Sequence, residues 1–166
     1  GIKKIKEFCN NKKLPLPLFM VIKTGNHVLE TKNIGILEDI VDGKGLEEEG
    51  EIKKMIKFCN EENIMIKEHN GDYLGESTLR YHPKIGIHGI NVAPEFGVIE
   101  TKAILTYFEQ NNLEGFKEKF IDIAYNSKKW EKWITPNSTT TKKDKAIISG
   151  HYVFSSPEFK ILKNEI

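Results

Sequence analysis

The sequence predicts an α/β fold in which parallel strands alternate with helices, and three observations support this class. A helix, a short link, an apolar run and a polar loop with glycine occur twice, at residues 3–28 and 51–74, as expected of repeated α/β units. The apolar runs are nearly continuous, which is typical of strands covered on both faces. Polar residues collect where each run ends, the usual place of function in parallel α/β folds.

Each repeat supplies one helix and one strand. The first begins with a Lys-rich amphipathic helix that closes on the tripeptide Phe-Cys-Asn and leads into a strand at residues 16–23. The second has the same helix ending and a strand at residues 63–67. A third unit follows, with a strand predicted at about residues 84–92.

The remainder of the chain is predicted to be helical. Residues 98–110 place apolar side chains at helical spacing, and a further helix is predicted at residues 114–125. A polar stretch then surrounds Trp130 and Trp133, and one or two short helices complete the chain.

Three βα units amount to less than half of a TIM (β/α)8 barrel, which needs about 250 residues. An open doubly wound sheet would require further strands that the sequence does not offer. We therefore expect residues 1–126 to be the last βα units of a TIM barrel and residues 127–166 to be an extension that packs on it. The chain opens at Gly1 within a helix that no capping residue precedes, so we expect it to begin inside a longer protein.

Composition is that of a soluble protein, since hydrophobic residues make up 39% and charged residues 30% of the 166 positions. The formal net charge of +1 gives no field that would favour nucleic acid or a membrane surface. No apolar run approaches the roughly 20 residues that a bilayer needs, and no signal peptide is visible, so a cytoplasmic location is expected. Cys9 and Cys59 are expected to be core thiols.

Polar side chains follow each of the three strands, at the edge where parallel strands gather their loops. These residues are Lys23, Thr24, Asn26, His27, Glu30, Glu68, His69, Asn70, Asp72, Asn91 and Glu95. Because neighbouring strands lie about 5 Å apart, we expect them to line one rim.

The rim carries the groups that proton transfer beside a carbonyl would need. Two carboxylates in one dry site push their pKa values apart, so we predict Glu68 and Asp72 as general acid and base. His69 would orient the substrate or relay a proton. The residues predicted to hold the substrate are Lys23, Asn26, His27, Asn70, Asn91 and Glu95.

Each of these residues also has a structural interpretation. Asp72 could cap a short helix, His69 could be a supporting histidine with satisfied hydrogen bonds, and Glu95 could be the first-turn acid of the next helix. His82 precedes a proline, which favours a structural residue in a surface link. His88 lies inside the predicted third strand, which favours a buried, hydrogen-bonded histidine.

A metal site is the weaker interpretation of the histidines. His27, His69 and His88 come near the ends of successive strands, with Glu68 and Glu95 nearby, but their spacing matches no compact zinc motif. A P-loop, a dinucleotide-binding fingerprint, an HExxH helix and a GxSxG elbow are absent from the sequence. We therefore expect no metal or other cofactor in this chain.

Three segments resemble a known family. They are VIKTGNHVLETKNIG, IMIKEHNGDYL and GIHGINVAPEFGVIETKAIL. In this order and spacing they resemble the later strands of the class II tagatose-bisphosphate aldolase accessory-subunit family, the non-catalytic (Z-type) partner. The tail from AYNSKKW to HYVFS resembles the C-terminal region of one branch of that family. The resemblance covers almost the whole chain but only the C-terminal part of the family's length, and it implies a TIM barrel whose first five or so strands precede residue 1.

The resemblance also implies a place in sugar-phosphate metabolism. Family members support the activity and stability of a separate catalytic subunit, which holds the zinc. We therefore expect a component of a class II ketose-bisphosphate aldolase system, in an oligomer with the catalytic subunit, binding a phosphorylated sugar at the rim but no nucleic acid or membrane.

Two alternatives stay open, because a fold does not determine a function. One is a pure scaffold, with Trp130, Trp133 and Tyr152 as interface anchors, although these aromatic residues could equally pack the tail onto the barrel. The other is an independent sugar-phosphate aldolase, isomerase or epimerase with its own active site.

Overall fold

The computed structural model of the chain describes residues 1–22, 24–44 and 46–166, without the side chain of Leu46. Its helices are α1 (Ile2–Lys12), α2 (Ile36–Val41), α3 (Leu46–Glu61), α4 (Glu76–Ile85), α5 (Pro94–Gln110), α6 (Glu114–Asn126), α7 (Lys142–Ser149) and α8 (Pro157–Asn164). Its strands are β1 (Phe19–Ile22), β2 (Val28–Leu29), β3 (Lys32–Asn33), β4 (Met65–Glu68) and β5 (Gly89–Ile90). Two short 3₁₀ turns are Glu131–Trp133 and Gly150–Tyr152.

The central sheet has the order β1-β4-β5, and both pairs of neighbouring strands are parallel. Phe19 lies opposite Met65, and Lys67 lies opposite Gly89. The predicted α/β class is therefore confirmed, as is the parallel pairing of strands from the three successive units. Within the described residues these strands do not close into a barrel, and the assignment to a larger TIM barrel stays a prediction.

The first strand is shorter than its predicted range of residues 16–23, because β1 begins only at Phe19. Pro15 and Pro17 precede it, and proline lacks the N–H group that a sheet ladder requires. Lys23, the last residue of the predicted strand, lies outside the described residues.

The third strand is also shorter than predicted, and its predicted start at residue 84 is wrong. The helix α4 runs to Ile85 and carries Pro83 in its last turn, so β5 begins only at Gly89. Gly86 ends the helix with a φ of 94°, the left-handed conformation that glycine adopts readily after a helix. The helices predicted at residues 98–110 and 114–125 are confirmed as α5 and α6, and α5 starts earlier, at Pro94, a residue favoured in the first turn.

The chain divides into two compact units. The first consists of Gly1–His27 with Asn33–Asn91, and the second of Val28–Lys32 with Val92–Ile166. Apart from residues 28–32, the compact units divide between Asn91 and Val92. The division of a longer barrel protein at residues 126 and 127 stays a prediction.

The first unit contains the parallel sheet and helices α1 to α4. Its buried core residues are Ile2, Ile22, Leu37, Ile40, Ile52, Ile56, Cys59, Ile64, Ile66 and Ile87. Cys9 and Cys59 are both free and buried, which confirms the prediction of core thiols. Burial raises the pKa of the Cys59 thiol and so favours its protonated form.

The second unit is helical and has an aromatic core. Its buried core residues are Leu105, Phe108, Phe120, Ile121, Ala124, Ala146, Val153 and Leu162. At two contacts of α5 a side chain lies directly against the backbone of a glycine, which leaves no room for a Cβ atom. A Cβ atom on Gly97 would lie 2.3 Å from Cγ of His151, and one on Gly150 would lie 2.4 Å from Cγ2 of Thr101. Larger residues would therefore separate α5 from the turn Gly150–Tyr152.

Candidate functional site

The loops that follow β1, β4 and β5 meet at the carboxyl edge of the sheet, which we call the strand-end rim (residues 24–27, 68–73 and 91). The Asn91 N–H donates to the Glu68 carbonyl at 2.9 Å, and the Gly71 N–H donates to the Asn91 carbonyl at 2.9 Å. The Asn70 side chain donates from Nδ2 to the Asn26 carbonyl at 3.0 Å. The three loops are therefore neighbours, as their strand order predicts.

Asn33 fixes the loop after β4, although it follows no strand of the central sheet. Its Nδ2 donates to the carbonyls of Asn70 and Asp72, each at 2.8 Å. Its Oδ1 accepts a hydrogen bond from the Gly35 N–H at 3.0 Å. One side chain thus satisfies three backbone groups, two of which belong to a loop with positive φ at Asn70 and Tyr73.

Asn33→Ala is expected to lower the free energy of unfolding by about 1–3 kcal/mol, because it leaves partly buried backbone groups without partners. Urea unfolding followed by circular dichroism would measure this loss, and amide exchange should accelerate at residues 70–73. Asn60→Ala, at an exposed position of α3, is the matched control and should change stability by less than about 0.5 kcal/mol. An Asn33→Ala variant as stable as this control would contradict the assigned function of the side chain.

Glu68 is the most deeply buried residue of the rim, with 0% of its surface exposed. Side chains two positions apart on a strand point to the same face, so Glu68 lies on the buried face with Ile66, while His69 is exposed. The hydroxyl of Thr24 donates to Oε1 of Glu68, and Nε2 of His82 contacts Oε2. Both oxygens of this carboxylate are therefore engaged within the protein.

His82 connects this carboxylate to α4. The ring is 1% exposed, and Nδ1 lies 2.6 Å from the Thr78 carbonyl, one helical turn earlier. A carbonyl can only accept, so Nδ1 carries a proton and the other ring nitrogen, Nε2, faces Glu68. Burial alone would lower the pKa of His82, but the hydrogen bonds to Glu68 and Thr78 outweigh it and raise the pKa above its ordinary value. This direction favours a buried imidazolium–carboxylate pair.

The position of His82 was not predicted correctly from the sequence. The prediction of a surface link before the proline is wrong, because the residue lies in a helix and faces the sheet. The signal that could have found it is the pair of polar residues Thr78 and His82 at helical spacing on the side of α4 that is buried. Gly75 occupies the N-cap position of α4, so Asp72 does not cap this helix.

The three predicted catalytic residues have different environments. Glu68 and Asp72 are buried, at 0% and 2% exposure, whereas His69 is exposed. The Nδ1 atom of His69 lies 3.5 Å from Nδ2 of Asn91, at the limit of hydrogen bonding. The rim thus combines buried carboxylates with an exposed imidazole and does not present all three groups to solvent.

The predicted substrate-binding residues of the first loop also differ in environment. Lys23 lies outside the described residues, and His27 is exposed. Asn26 is 7% exposed, and neither polar atom of its side chain has a hydrogen-bond partner among the described residues. His88 is hydrogen-bonded, since its Nδ1 accepts from the Ile66 N–H at 3.2 Å. The expectation that His88 would be buried is wrong, because the residue is exposed.

Two acidic residues assigned to the predicted rim belong to the second unit. Glu30 accepts hydrogen bonds at Oε1 from the hydroxyls of Ser138 and Thr140, at 2.5 and 2.8 Å. These two hydroxyls lower the pKa of Glu30. Glu95 lies in the first turn of α5, where the helix dipole favours a negative charge.

The aromatic residues of the C-terminal stretch contact one another and nearby lysines within the second unit. Trp130 stacks on Tyr125 with ring centroids 5.4 Å apart and donates from Nε1 to the Tyr125 carbonyl at 2.8 Å. The ammonium of Lys132 lies 4.8 Å from the ring centroid of Trp133 and 4.6 Å from that of Tyr152. These contacts favour the packing interpretation of all three aromatic residues over the interface interpretation.

In the part of the chain that the structure describes, no three His, Cys, Asp or Glu side chains come together in a way that could hold a metal ion. None of the described helices combines the length and the hydropathy that crossing a bilayer requires. Comparisons with models of known protein families, with curated proteins and with solved structures found no match.

Proposed function

We propose that this chain is the non-catalytic component of a cytoplasmic class II ketose-bisphosphate aldolase system of the tagatose-bisphosphate type, where it supports a separate catalytic subunit. The resemblance of three segments and of the tail motivates the proposal. The parallel sheet supports it, because β1, β4 and β5 are neighbours in the sheet in the same order in which the resembling segments occur along the chain.

The observation that carries the proposal is the sequestration of Glu68. A general acid or base must come within hydrogen-bond reach of the substrate proton. The carboxylate of Glu68 instead lies at 0% exposure between the Thr24 hydroxyl and the His82 ring. This arrangement suits a structural carboxylate that holds β4 against α4 and favours a supporting subunit over an independent aldolase, isomerase or epimerase.

A phosphorylated sugar would meet the exposed part of the rim. His69 offers an imidazole at the surface, and half-buried Asn91 lies beside it with an amide that can donate to a phosphate or hydroxyl oxygen. Hydrogen-bond donors at the surface of the rim suit the binding of phosphate or hydroxyl oxygens. We therefore propose a binding function for His69 and Asn91 in place of proton transfer.

The test combines the full chain with the class II aldolase subunit of the same organism. We expect the chain to raise the activity or thermal half-life of that subunit and to show no turnover of tagatose bisphosphate by itself, with or without zinc. Zinc-dependent turnover by the chain alone would overturn the proposal and favour the independent enzyme.

The sugar-binding part is tested separately by calorimetric titration with tagatose 1,6-bisphosphate. His69→Ala and Asn91→Ala should each weaken binding about fivefold, the effect of one lost polar contact. Thr106→Ala, at an exposed position of the second unit, should leave affinity within about twofold. Equal binding by all three variants would exclude the rim as the sugar-phosphate site. If the wild type does not bind the sugar phosphate, only the supporting function of the chain would remain of the proposal.

A further inference from the structure

We propose that helix α1 and the segment that follows it bind an anionic lipid surface, such as a bilayer that contains phosphatidylserine. The exposed lysines and exposed apolar residues of positions 3–18 form what we call the basic apolar surface. This surface belongs to the first unit, shares no residue with the strand-end rim and is independent of the proposed function.

The apolar part of the surface consists of large side chains that the core does not use. About half of the surface of each is exposed, between 45% and 64%, in Ile5, Phe8, Leu14, Leu16 and Leu18. The opposite side of α1 supplies the buried residues Ile2 and Cys9. Single exposed apolar residues are common, whereas a group of them rimmed by polar residues is typical of an interaction site.

Phe8 lies between two lysines on the exposed side of α1. Residues three and four positions apart are neighbours on the surface of a helix. Lys4 and Lys12 therefore flank Phe8 along the helix, and Ile5 lies one turn before it. Apolar side chains flanked by lysines in this way are typical of basic helices that lie on a membrane surface.

The positive charge of the chain is concentrated in this segment. The whole chain has 25 basic and 24 acidic residues, whereas residues 1–18 hold five lysines and one acidic residue, Glu7. The expectation of no membrane partner uses the net charge of the whole chain, +1. That value averages a basic segment with an acidic remainder, so it conceals the local charge.

The acidic residues near α1 do not cancel this charge. Lys6 forms an ion pair with Glu62 of α3 at 2.8 Å. The ion pairs found in the described part of the chain include none of the other four lysines of residues 1–18, which are Lys3, Lys4, Lys12 and Lys13. Even when Glu61 and Glu62 are counted together with Glu7, the lysines outnumber the carboxylates.

The composition of the surface favours a lipid bilayer over a protein partner. Interface cores between proteins are depleted in lysine and enriched in Tyr, Trp, Met and Arg, and none of these four enriched types occurs among residues 1–18. Lysines beside an anionic leaflet are attracted to it, and the side chains of Phe and Leu enter the boundary between headgroups and acyl chains. The basic apolar surface therefore matches an anionic bilayer in both charge and apolar character.

The test is cosedimentation of the full chain with sucrose-loaded vesicles. One set is phosphatidylcholine alone, and the other is an equal mixture of phosphatidylcholine and phosphatidylserine. We expect the mixed vesicles to bind at least about tenfold more tightly and this binding to weaken as added salt screens the charges. Backbone amides of residues 2–18 should exchange more slowly when the vesicles are bound.

Two variants test the charge and the apolar contact separately. Lys4→Glu with Lys12→Glu should weaken binding to the mixed vesicles by about 25-fold or more, since each lysine near such a surface contributes about fivefold. Phe8→Ala should weaken it about fivefold through lost apolar burial. All three positions are exposed, and near-ultraviolet circular dichroism of each variant checks that the chain still folds.

The second unit offers matched controls for both changes. Lys128→Glu with Lys129→Glu makes the same charge change at exposed positions, and Phe96→Ala removes a phenylalanine that is 65% exposed. Both should bind the mixed vesicles as the wild type does. Equal losses in the two double variants would show a general effect of charge and would overturn the assignment to α1.

Three further outcomes would overturn the proposal. The wild type could bind neither kind of vesicle, or it could bind both equally. Capture of polyglutamate without vesicle binding would assign the surface to an acidic protein. A dimer in sedimentation velocity that Phe8→Ala dissociates, again without vesicle binding, would assign it to a second copy of the chain.

Discussion

His82→Ala is expected to lower the free energy of unfolding by about 3–5 kcal/mol, because it leaves a buried carboxyl group without the imidazole that it contacts. Glu68 is 0% exposed and His82 is 1% exposed, so the contact between them lies away from solvent. Urea unfolding at neutral pH would measure the loss. His27→Ala, at an exposed histidine of the same unit, should change stability by less than about 0.5 kcal/mol.

The same pair predicts how stability depends on pH. Folding raises the pKa of His82 above its ordinary value of 6.5, so the folded chain holds this proton more tightly than the unfolded chain does. The stabilisation is therefore fully present below about pH 6.5 and declines as the pH rises through the folded pKa. We expect the stability difference between the wild type and His82→Gln, which cannot titrate, to shrink as the solution becomes alkaline. A difference that stays constant or grows with pH would contradict a charged pair.

Phe120→Ala is expected to cost about 3–5 kcal/mol of unfolding free energy, the usual loss when a buried phenylalanine leaves a cavity. The Phe120 ring is 0% exposed and lies 6.3, 6.2 and 5.6 Å between centroids from the rings of Phe108, Phe154 and Phe159. Unfolding monitored by near-ultraviolet circular dichroism, which reports on packed aromatic side chains, would measure the loss.

Phe96→Ala is the matched control for this prediction. Phe96 belongs to the same unit but is 65% exposed, so its removal should change stability by less than about 0.5 kcal/mol. A loss below about 1 kcal/mol for Phe120→Ala would contradict the tight aromatic packing of the second unit.

The elements that could be predicted from the sequence are those that local pattern determines. Two similar segments with continuous apolar runs indicated the α/β class. Strand β1 lies within the first predicted strand, and β4 overlaps the second and ends one residue beyond it, at Glu68. Helix α6 carries its apolar residues at helical spacing and was predicted to within one residue at its C-terminal end. The hairpin of β2 and β3 and the short helix α2 were not foreseen, because each is too short to show a period.

The polar contacts of the site depend on residues that are distant in the chain. Asn33 bonds to a loop that begins near Asn70, and His82 meets Glu68 only because α4 packs on the sheet. Strand order predicted that Asn26, Asn70 and Asn91 would be neighbours. It could not predict that Glu68 would be enclosed, because enclosure depends on the partner that an adjacent helix presents to the carboxylate.

The separation of the paired strands along the chain has a consequence for synthesis on the ribosome. Strand β1 pairs with β4, and the whole of α2 and α3 lies between them in the chain. At the usual translation rate of roughly 5–20 residues per second, β1 leaves the ribosome several seconds before the strand that pairs with it. The nascent apolar segment must stay unpaired during that interval, which is the state that chaperones recognise. Strands β4 and β5, separated only by α4, complete their pairing sooner.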